Sequence, residues 1–313
     1  MSMRASSRVA PRAVTVATGR RARRTRAGTS EGRVALAMLS PAVLLIGLVA
    51  LVPVCYTLYL SVHAAGIERT GPYDGLANYR ALLRDPAFTT ATVNTVVFTV
   101  ASVALEFGLG LGAALVLNRG FRARGLVRSA VLVPWAFPVV VSALMWRLML
   151  QDQIGVVPYL ARLVGAGGGS LLSDQHSLMI ASIGVDVWKC TPFMTLLLLA
   201  GLQTIPAELT EAALVDGAGP LVRFWRITLP LLKPAILVAL LFRTLEAWSV
   251  YDLFWVMSDR QLESLSTYVY KTVRISELNF APGTAAAVLV FLSSILIALV
   301  YMRTLRTRTG EVD

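Results

Sequence analysis

Six stretches of this sequence are each long and apolar enough to cross a lipid bilayer. A transmembrane helix needs about 20 predominantly apolar residues. Because 56% of the 313 residues are hydrophobic and only 15% are charged, the chain has too little polar surface for a water-soluble domain of this length. The sequence therefore predicts an all-α, polytopic membrane protein whose six transmembrane helices lie near residues 34–62, 93–118, 128–150, 178–203, 234–257 and 282–304.

Arginines indicate the side of the membrane on which the connections lie. The tail of residues 1–33 carries nine arginines but a single acid, Glu31, and the connection after the second stretch has four arginines and no acid. Cytoplasmic segments of membrane proteins are enriched in Lys and Arg. Both termini, including the short tail 307–313, and the long loop 204–233 are therefore predicted to be cytoplasmic, in a multi-pass protein of the cytoplasmic membrane.

The basic tail allows two interpretations. Clustered arginines can bind the phosphates of a nucleic acid, but no folded nucleic-acid-binding module accompanies them in this sequence. We therefore interpret the tail as a topology determinant that also contacts anionic membrane lipids, and we predict no nucleic-acid partner.

The loop 204–233 has the residues of a compact helical element. Pro206 suits the first turn of a helix, where its missing N–H has no partner, and acids in that turn favour the positive helix end. Gly217 can adopt the left-handed conformation that ends a helix. The sequence predicts a short helix over 206–216 and another turn or two over 221–228, after which two prolines redirect the chain into the fifth transmembrane helix.

This loop resembles the signature of the permease subunits of ATP-driven (ABC) importers. The matching residues are Glu211-Ala212-Ala213, then Gly217, then Ile227-Thr228-Leu229-Pro230, and the form Asp216-Gly217-Ala218 is similar to the carbohydrate branch of that family. Gly75 to Arg80, Pro134 to Pro138 and Trp146 are also similar to permeases of the maltose and glycerol-phosphate type. The resemblance covers residues 34–306, and among these permeases the trehalose importers look most similar to this chain.

The resemblance implies the fold of a type I importer permease and a set of protein partners. These partners are a second permease subunit, a dimer of ATPase subunits and an extracytoplasmic sugar-binding lipoprotein. It also implies that the loop docks on the ATPase through Glu208, Glu211, Ala212, Ala213, Asp216, Gly217, Arg223 and Arg226. The alternative for the loop is an interfacial helix on lipid headgroups, which Phe224 and Trp225 beside two arginines would also suit.

The chain has no site of its own for ATP. A phosphate-binding loop needs a Gly-Lys-Ser/Thr sequence, and none of the three lysines follows a glycine. Mg-ATP is therefore expected on the partner ATPase. We predict a non-catalytic permease with no cofactor.

Charged residues within the fourth and fifth stretches predict a polar solute pathway. Ionisable groups at mid-bilayer are costly and are normally paired or face a wet cavity. Facing charges and aromatic rings suit a sugar, whose hydroxyls hydrogen-bond and whose apolar face packs on rings. The predicted pathway residues are Asp186, Trp188, Lys189, Phe193, Arg243, Glu246, Trp248, Tyr251 and Asp252.

The same charges have a structural alternative. Asp186 with Lys189, and Arg243 with Glu246, can form ion pairs within one helix or hold helices together. Glu106 stands alone in sequence in the second stretch, as Arg147 does in the third, so both are expected to find packing partners on other helices.

Other chemistries have little support in the sequence. The two histidines lack the close spacing of metal ligands, no Gly-x-Ser-x-Gly turn presents a nucleophile, and no metal site is predicted. Cys55 and Cys190 lie in apolar stretches and are expected to be packing residues without a disulfide.

The predicted function is carbohydrate import, with a disaccharide such as trehalose as the solute. The alternatives are glycerol phosphate or another oligosaccharide, or a proton-coupled transporter that uses Asp186, Glu246 and Asp252 as a relay.

Overall fold

The computed structural model describes residues 28–65, 70–120, 122–165, 172–259, 261–275 and 280–306. The predicted cytoplasmic tails lie outside this range, except that residues 28–33 begin the first helix. The chain divides into two compact units, Met1–Pro53 and Val54–Asp313. In the described part of the first unit, residues 28–53 are helical. The second unit holds every other element.

The fold is almost entirely helical, as predicted. The one exception among the described residues is an antiparallel hairpin in the connection after the first helix, formed by β1 (His63–Ala65) and β2 (Thr70–Tyr73). The helices are α1 (Gly28–Ser61), α2 (Ala77–Arg84), α3 (Pro86–Asn118), α4 (Arg124–Ala136), α5 (Val139–Leu150), α6 (Val156–Leu163), α7 (Gln175–Gln203), α8 (Ala207–Val215), α9 (Pro220–Arg223), α10 (Leu229–Trp248), α11 (Asp252–Met257), α12 (Leu265–Tyr270) and α13 (Phe280–Arg306).

Five helices are long and apolar enough to cross a membrane, and a bent pair of helices covers the remaining predicted stretch, 128–150. The five are α1, α3, α7, the continuous helix Pro220–Trp248 and α13. The pair α4 and α5 is bent by 88° at Phe137 and Pro138. This bend follows from the sequence, since proline has no N–H to donate and disfavours a helical residue before it.

The fifth predicted span is displaced from its observed position. The prediction was 234–257, but the helix runs over Pro220–Trp248 and breaks before α11. Pro230 and Pro234 therefore do not redirect the chain. A π-helical turn over Phe224–Thr228 precedes them, in which the N–H of Leu229 donates to the carbonyl of Phe224 five residues back. This wider turn accommodates prolines that would clash with a regular preceding turn.

Helix α7 lies at the centre of the second unit and packs against α3, α4 and α10. Two apolar clusters join α3, α7 and α10, one around Phe98, Val185 and Phe254 and the other around Met194 and Leu232. On α3, α7 and α10, Glu106, Asp186 and Arg243 fall between the two clusters. The fold thus places charged side chains from three helices at one level of the bundle.

The segment 249–275 folds back onto the N-terminal part of α3. Asn94 donates to the carbonyl of Glu263 at 2.9 Å, and the N–H of Leu265 donates to the hydroxyl of Thr95 at 2.9 Å. The Tyr268 hydroxyl donates to Asp85, the N-cap residue of α3, at 2.6 Å. These bonds satisfy polar groups that would otherwise be buried without partners, and they fix the chain that follows α10.

Candidate solute pathway and coupling loop

Arg243 is the centre of a charge network that joins α3, α7 and α10. Its Nε donates to Oε2 of Glu106 at 2.6 Å and its Nη2 donates to Oε1 of Glu106 at 2.8 Å. Nη2 also donates to Asp186 at 3.0 Å, and Nη1 donates to Glu246 at 2.6 Å. One guanidinium is therefore shared by three carboxylates. Its contact with Glu106 is bidentate, which fixes the plane of the guanidinium.

The four members of this network differ in exposure. The side chains of Glu106 and Arg243 are 0% and 1% exposed, Asp186 is 13% exposed, and Glu246 is 55% exposed. A buried ion pair becomes strongly destabilising when one partner is removed, because the other charge stays buried. Glu106 and Arg243 are thus mutually dependent, whereas Glu246 presents its carboxylate at the surface of the chain.

The sequence identified Arg243, Glu246 and Asp186 but did not assign Glu106 to their site. Its expectation that Glu106 finds a packing partner on another helix is confirmed, and the partner is Arg243. The only signal was one acid in a long apolar run. Its pairing spans 137 residues of sequence, so no spacing rule could have found it.

The two predicted intrahelical ion pairs have different outcomes. Arg243 and Glu246 do pair, three residues apart. The pair of Asp186 with Lys189 does not form, because Asp186 contacts Arg243 on α10 instead. Lys189 is 7% exposed and makes no hydrogen bond or ion pair within the described part of the chain. Its cation lies on the same helix as the network without belonging to it.

Cys190 also borders the network. Its thiol donates to Asp186 at 3.6 Å, and the ligand atoms of Glu106, Asp186 and Cys190 lie within 4.8 Å of one another. Such a spacing could suit a metal ion, but both carboxylates are engaged by the guanidinium. The group is better described as an ion-pair network. Cys190 is buried, as predicted for a packing residue, whereas Cys55 is exposed on α1, and both are free thiols.

The predicted aromatic pathway residues of α7 pack against the bent pair of helices. Trp188 contacts Trp146 of α5 edge to face, with ring centroids 5.5 Å apart. Phe193 stacks on Trp135 of α4 at 5.6 Å. These contacts tie α7 to both sides of the bend between α4 and α5. The similarity noted for Trp146 and for the segment around Pro134 thus falls on residues that contact the predicted pathway helix.

The contacts of two of the three remaining pathway residues are with other parts of the chain, and the third begins a new helix. The indole N–H of Trp248 donates to Ser293 of α13 at 2.9 Å, so this ring contacts another helix. Tyr251 and Asp252 lie beyond the end of α10, where Asp252 is the first residue of α11. Tyr251 forms a cluster of rings with Trp255 and Tyr270. The structure therefore brings Asp186, Arg243 and Glu246 together, whereas Trp248 contacts α13 and Asp252 begins α11.

Arg147 of α5 contacts a neighbouring element, as expected from its isolation in sequence. Its Nη1 donates to the carbonyl of Val256 on α11 at 3.2 Å, and its Nη2 lies 3.3 Å from Asp259. These bonds connect α5 to the segment that follows the fifth span.

The loop 204–233 has the predicted helix and the predicted glycine end. Helix α8 covers Ala207–Val215, within one residue of the prediction at each end. Gly217 has φ of 76°, the left-handed conformation. The N–H of Ala218 donates to the carbonyl of Ala213 at 2.9 Å, and that of Gly217 to Leu214 at 3.0 Å. These two bonds define a Schellman motif, which satisfies the last carbonyls of α8.

The surface of α8 is open. None of its residues is buried. Glu208, Glu211 and Ala212 are exposed, as are several large apolar side chains, namely Leu209, Leu214, Val215, Leu221 and Trp225. An apolar patch next to acids and to the exposed Arg226 is typical of a protein interface.

Glu211 also borders a cavity of about 460 Å³ at the base of the loop. The other lining residues come from the C-terminal ends of α3 and α7, from the connection between α7 and α8, from α8 and from the π-helical turn, and they are Asn118, Leu202, Gln203, Ile205, Ala207, Thr210 and Thr228. The loop therefore lies against the C-terminal ends of α3 and α7, the helices that carry Glu106 and Asp186.

Comparison with known proteins agrees with this geometry. The family described as "Binding-protein-dependent transport system inner membrane component" matches residues 106–310. The trehalose/maltose transport system permease protein MalF of Thermococcus litoralis is 37% identical and aligns with 89% of this chain and 95% of its own. The trehalose transport system permease protein SugA of Mycobacterium tuberculosis is 38% identical, with 90% and 91% covered.

A relative with another name is similar to the same degree. The sulfoquinovosyl glycerol transport system permease protein SmoG of Agrobacterium fabrum is 36% identical, with 88% of this chain and 91% of its own covered. Among solved structures, the permease of a bacterial alginate ABC transporter has a TM-score of 0.78 at 22% identity, over 90% of this chain and 96% of that chain. The expected fold of a type I importer permease is therefore confirmed. The chain belongs to the family of inner membrane components of binding-protein-dependent transport systems, and it is a non-catalytic permease subunit of an ABC transporter.

Proposed function

We propose that this permease belongs to an importer that moves a neutral carbohydrate across the cytoplasmic membrane, with a disaccharide such as trehalose as the expected solute. The observation that carries the proposal is the arrangement around Arg243. Its guanidinium is engaged by three carboxylates, and the half-exposed carboxylate of Glu246 is the member of the network offered to a solute.

A half-exposed carboxylate suits a polyhydroxyl solute. Carboxylate oxygens accept hydrogen bonds from hydroxyls, and hydrogen bonds to a charged group are stronger than those between neutral groups. Glu246 is held by Arg243, so its position does not have to be fixed when a sugar binds. Asp186, with 13% exposure, supplies a second acceptor beside it.

The names of the relatives support a carbohydrate as the class of solute, but they do not favour one particular sugar. Two of them are named for trehalose, one of these also for maltose, and the third for sulfoquinovosyl glycerol, at nearly equal identity. An anionic solute such as glycerol phosphate would require a cation free to bind it, and Arg243 is not free. Lys189 is the residue on which an anionic alternative would depend, because it has no ion-pair partner within the described residues.

The proposal includes the partners and the orientation expected from the sequence. Two permease subunits, this chain and a second one, enclose the pathway, an ATPase dimer binds Mg-ATP in the cytoplasm, and a sugar-binding protein delivers the solute from outside. Both termini and the loop 204–233 face the cytoplasm. Closure of the ATPase dimer moves α8, which transmits the displacement to the helices as a rigid-body rearrangement.

Uptake of labelled sugars by a strain that lacks this permease tests the solute. Complementation with the wild-type gene should restore uptake of trehalose and should not restore uptake of glycerol phosphate. Restored uptake of glycerol phosphate alone would contradict the assignment to neutral sugars. Uptake by the reconstituted complex that continues without ATP but follows a proton gradient would instead support the proton-coupled alternative.

A further inference from the structure

We propose that Glu106, a residue with no surface for a solute to contact, is a positioning residue that excludes anionic solutes by occupying the guanidinium of Arg243. The proposal rests on the proposed function and extends it to the discrimination between neutral and anionic sugars. Its basis is the hydrogen bonding of one side chain, together with the burial of the residues that bind it.

The donors of Arg243 are almost fully used. A guanidinium has five N–H groups. Four hydrogen bonds engage them: two go to Glu106, one to Asp186 and one to Glu246. A phosphate or sulfonate is best recognised by two parallel N–H groups of one arginine. The parallel pair formed by Nε and Nη2 is the pair that Glu106 occupies.

Burial keeps this arrangement in place. Glu106 is completely buried and Arg243 almost so, whereas Glu246 is half-exposed. A solute that reaches the network therefore meets the carboxylate of Glu246 before it can meet the cation. A carboxylate accepts hydrogen bonds from the hydroxyls of a neutral sugar, and it repels an anion at close range.

The negative charges around Arg243 outnumber the positive ones even when the nearby Lys189 is included. Three carboxylates and one guanidinium form the ion pairs, and Lys189 lies outside them with no carboxylate oxygen within 4.0 Å in the described structure. Even if Lys189 is counted, the carboxylates outnumber the cations. Removing the charge of one buried carboxylate should therefore leave less of the charge of Arg243 compensated, so that an anion near Glu246 meets less repulsion.

The test is the selectivity of the purified ABC complex in nanodiscs, measured without the binding protein. Equilibrium dialysis with radiolabelled trehalose and trehalose 6-phosphate gives the ratio of their dissociation constants. The wild-type complex should prefer trehalose. In Glu106→Gln, which keeps the shape and removes the charge, the preference should fall by roughly ten- to a hundredfold, the range expected when a hydrogen bond to a charged group is lost or gained.

Two further variants make the result specific. Glu106→Asp keeps the charge but shortens the side chain, so it should retain the preference for trehalose even if it weakens packing. Glu263→Gln removes a carboxylate that pairs with Lys271 in the segment 249–275, away from Arg243, and should leave the ratio unchanged. Equal losses of selectivity in the Gln and Asp variants of Glu106, or the same loss in Glu263→Gln, would overturn the proposal.

The proposal can fail separately from the proposed function. If cells import trehalose but the wild-type complex binds trehalose 6-phosphate as tightly as trehalose, the role of Glu106 is wrong and the function stands. If cells import only an anionic solute, the proposed function is wrong and the exclusion of anions by Glu106 is wrong with it.

Discussion

Gly201 of α7 allows the backbone of α10 to approach closely. A Cβ atom at this position would lie 2.4 Å from Cβ of Ala235 on α10, a separation that real Cβ atoms do not show. Small residues let helix backbones approach in membrane proteins, where packing rather than burial from water drives association. The contact matters because α7 and α10 carry Asp186 and Arg243.

Replacing Gly201 by Ala should therefore destabilise the protein. We expect a loss of about 1 to 3 kcal/mol from overpacking, seen as a lower thermal unfolding temperature in detergent. Gly108→Ala is the matched control, because a Cβ on this glycine of α3 would meet no atom within 4 Å. An equal loss of stability in both variants would contradict the contact with Ala235 as the cause, since the higher helix propensity of alanine opposes a loss at either position.

Glu246 provides a prediction about transport. Glu246→Gln keeps the size of the side chain but loses the charge that accepts hydroxyls, so the KM for sugar uptake should rise by about tenfold, as for the loss of one charged hydrogen bond. Assembly should persist, because the side chain is half-exposed. Asp152→Asn makes the same chemical change at an exposed position before α6 and should leave KM unchanged. Equal KM values for wild type and Glu246→Gln would remove this residue from the pathway.

Residues were predictable from the sequence where a local rule applied. Gly217 has the left-handed conformation expected of a helix end, because that preference depends only on the glycine. Glu106 was expected to pair with another helix, but its partner could not be named, because Arg243 lies far away in sequence. Trp248 was assigned to the pathway from its neighbours on a helix, and its ring contacts α13, a contact that depends on tertiary packing.

At the scale of elements, the N-terminal end of α7 depends on one side chain. Asp174 is its N-cap residue and accepts a hydrogen bond from the N–H of Ser177 at 3.1 Å. The hydroxyl and N–H of Ser177 lower the pKa of Asp174 below its ordinary value of 3.8. Because the folded pKa is lowered, the stabilisation is present above the ordinary pKa and is lost as the pH falls through the folded one.

Asp174→Ala should consequently loosen the first turn of α7. At neutral pH, hydrogen exchange of the amides in this turn should be several-fold faster than in the wild type, because an N-cap acceptor is missing. As the pH falls below 3.8, the ordinary pKa of the carboxyl group, the ratio of protection factors between wild type and variant should approach one. A ratio independent of pH would show that the carboxylate charge is not responsible. The first turn of α3, which is capped by Asp85, serves as an internal control. Its amides should exchange at the same rate in the wild type and in Asp174→Ala.

Apolar length predicted the existence of the membrane helices better than their ends. Each of the six predicted stretches contains a long helix or the bent pair α4 and α5, but the fifth helix begins at Pro220 and ends at Trp248. Prolines indicated a break near 230, and the π-helical turn over Phe224–Thr228 removes the need for one. The residues of α11 are apolar enough to extend a span, yet they pack beside α5 because the chain turns after α10. Both differences depend on backbone geometry that hydropathy does not describe.

At the scale of the whole molecule, the exposed surface of α8 predicts where the ATPase binds. Glu211→Lys reverses a charge on this surface, next to exposed apolar side chains, and should weaken retention of the ATPase during purification and abolish sugar uptake. The resemblance implies that Glu211 meets a basic residue of the ATPase, so a lysine at this position would place like charges together and cost affinity. Asp152→Lys makes an equal change of charge at an exposed residue outside the loop and should preserve both. Normal retention and normal uptake in Glu211→Lys would contradict docking through α8.

The orientation of the chain has a direct test of its own. In a variant without Cys55 and Cys190, a single cysteine placed at Glu211 should be labelled by a membrane-impermeant maleimide only after the cells are opened. A cysteine placed at Asp152 should be labelled in intact cells, because the two positions lie on opposite sides of the membrane in the proposed orientation. Labelling of position 211 in intact cells would reverse the orientation and exclude contact with a cytoplasmic ATPase.

The continuous helix Pro220–Trp248, which includes the π-helical turn, begins in the loop 204–233 and carries Arg243 and Glu246 near its other end. From Arg223 to Arg243 the axial distance is about 30 Å, at 1.5 Å for each residue. A hinged connection could absorb a displacement of the loop, whereas a continuous helix must pass it on as a translation along its axis or a rotation about it. A rotation of α10 would turn Glu246 towards or away from the pathway. Because Arg243 is ion-paired with α3 and α7, the same rotation would also shift these two helices, so the contact of Glu246 with the solute and the packing of three helices would change together.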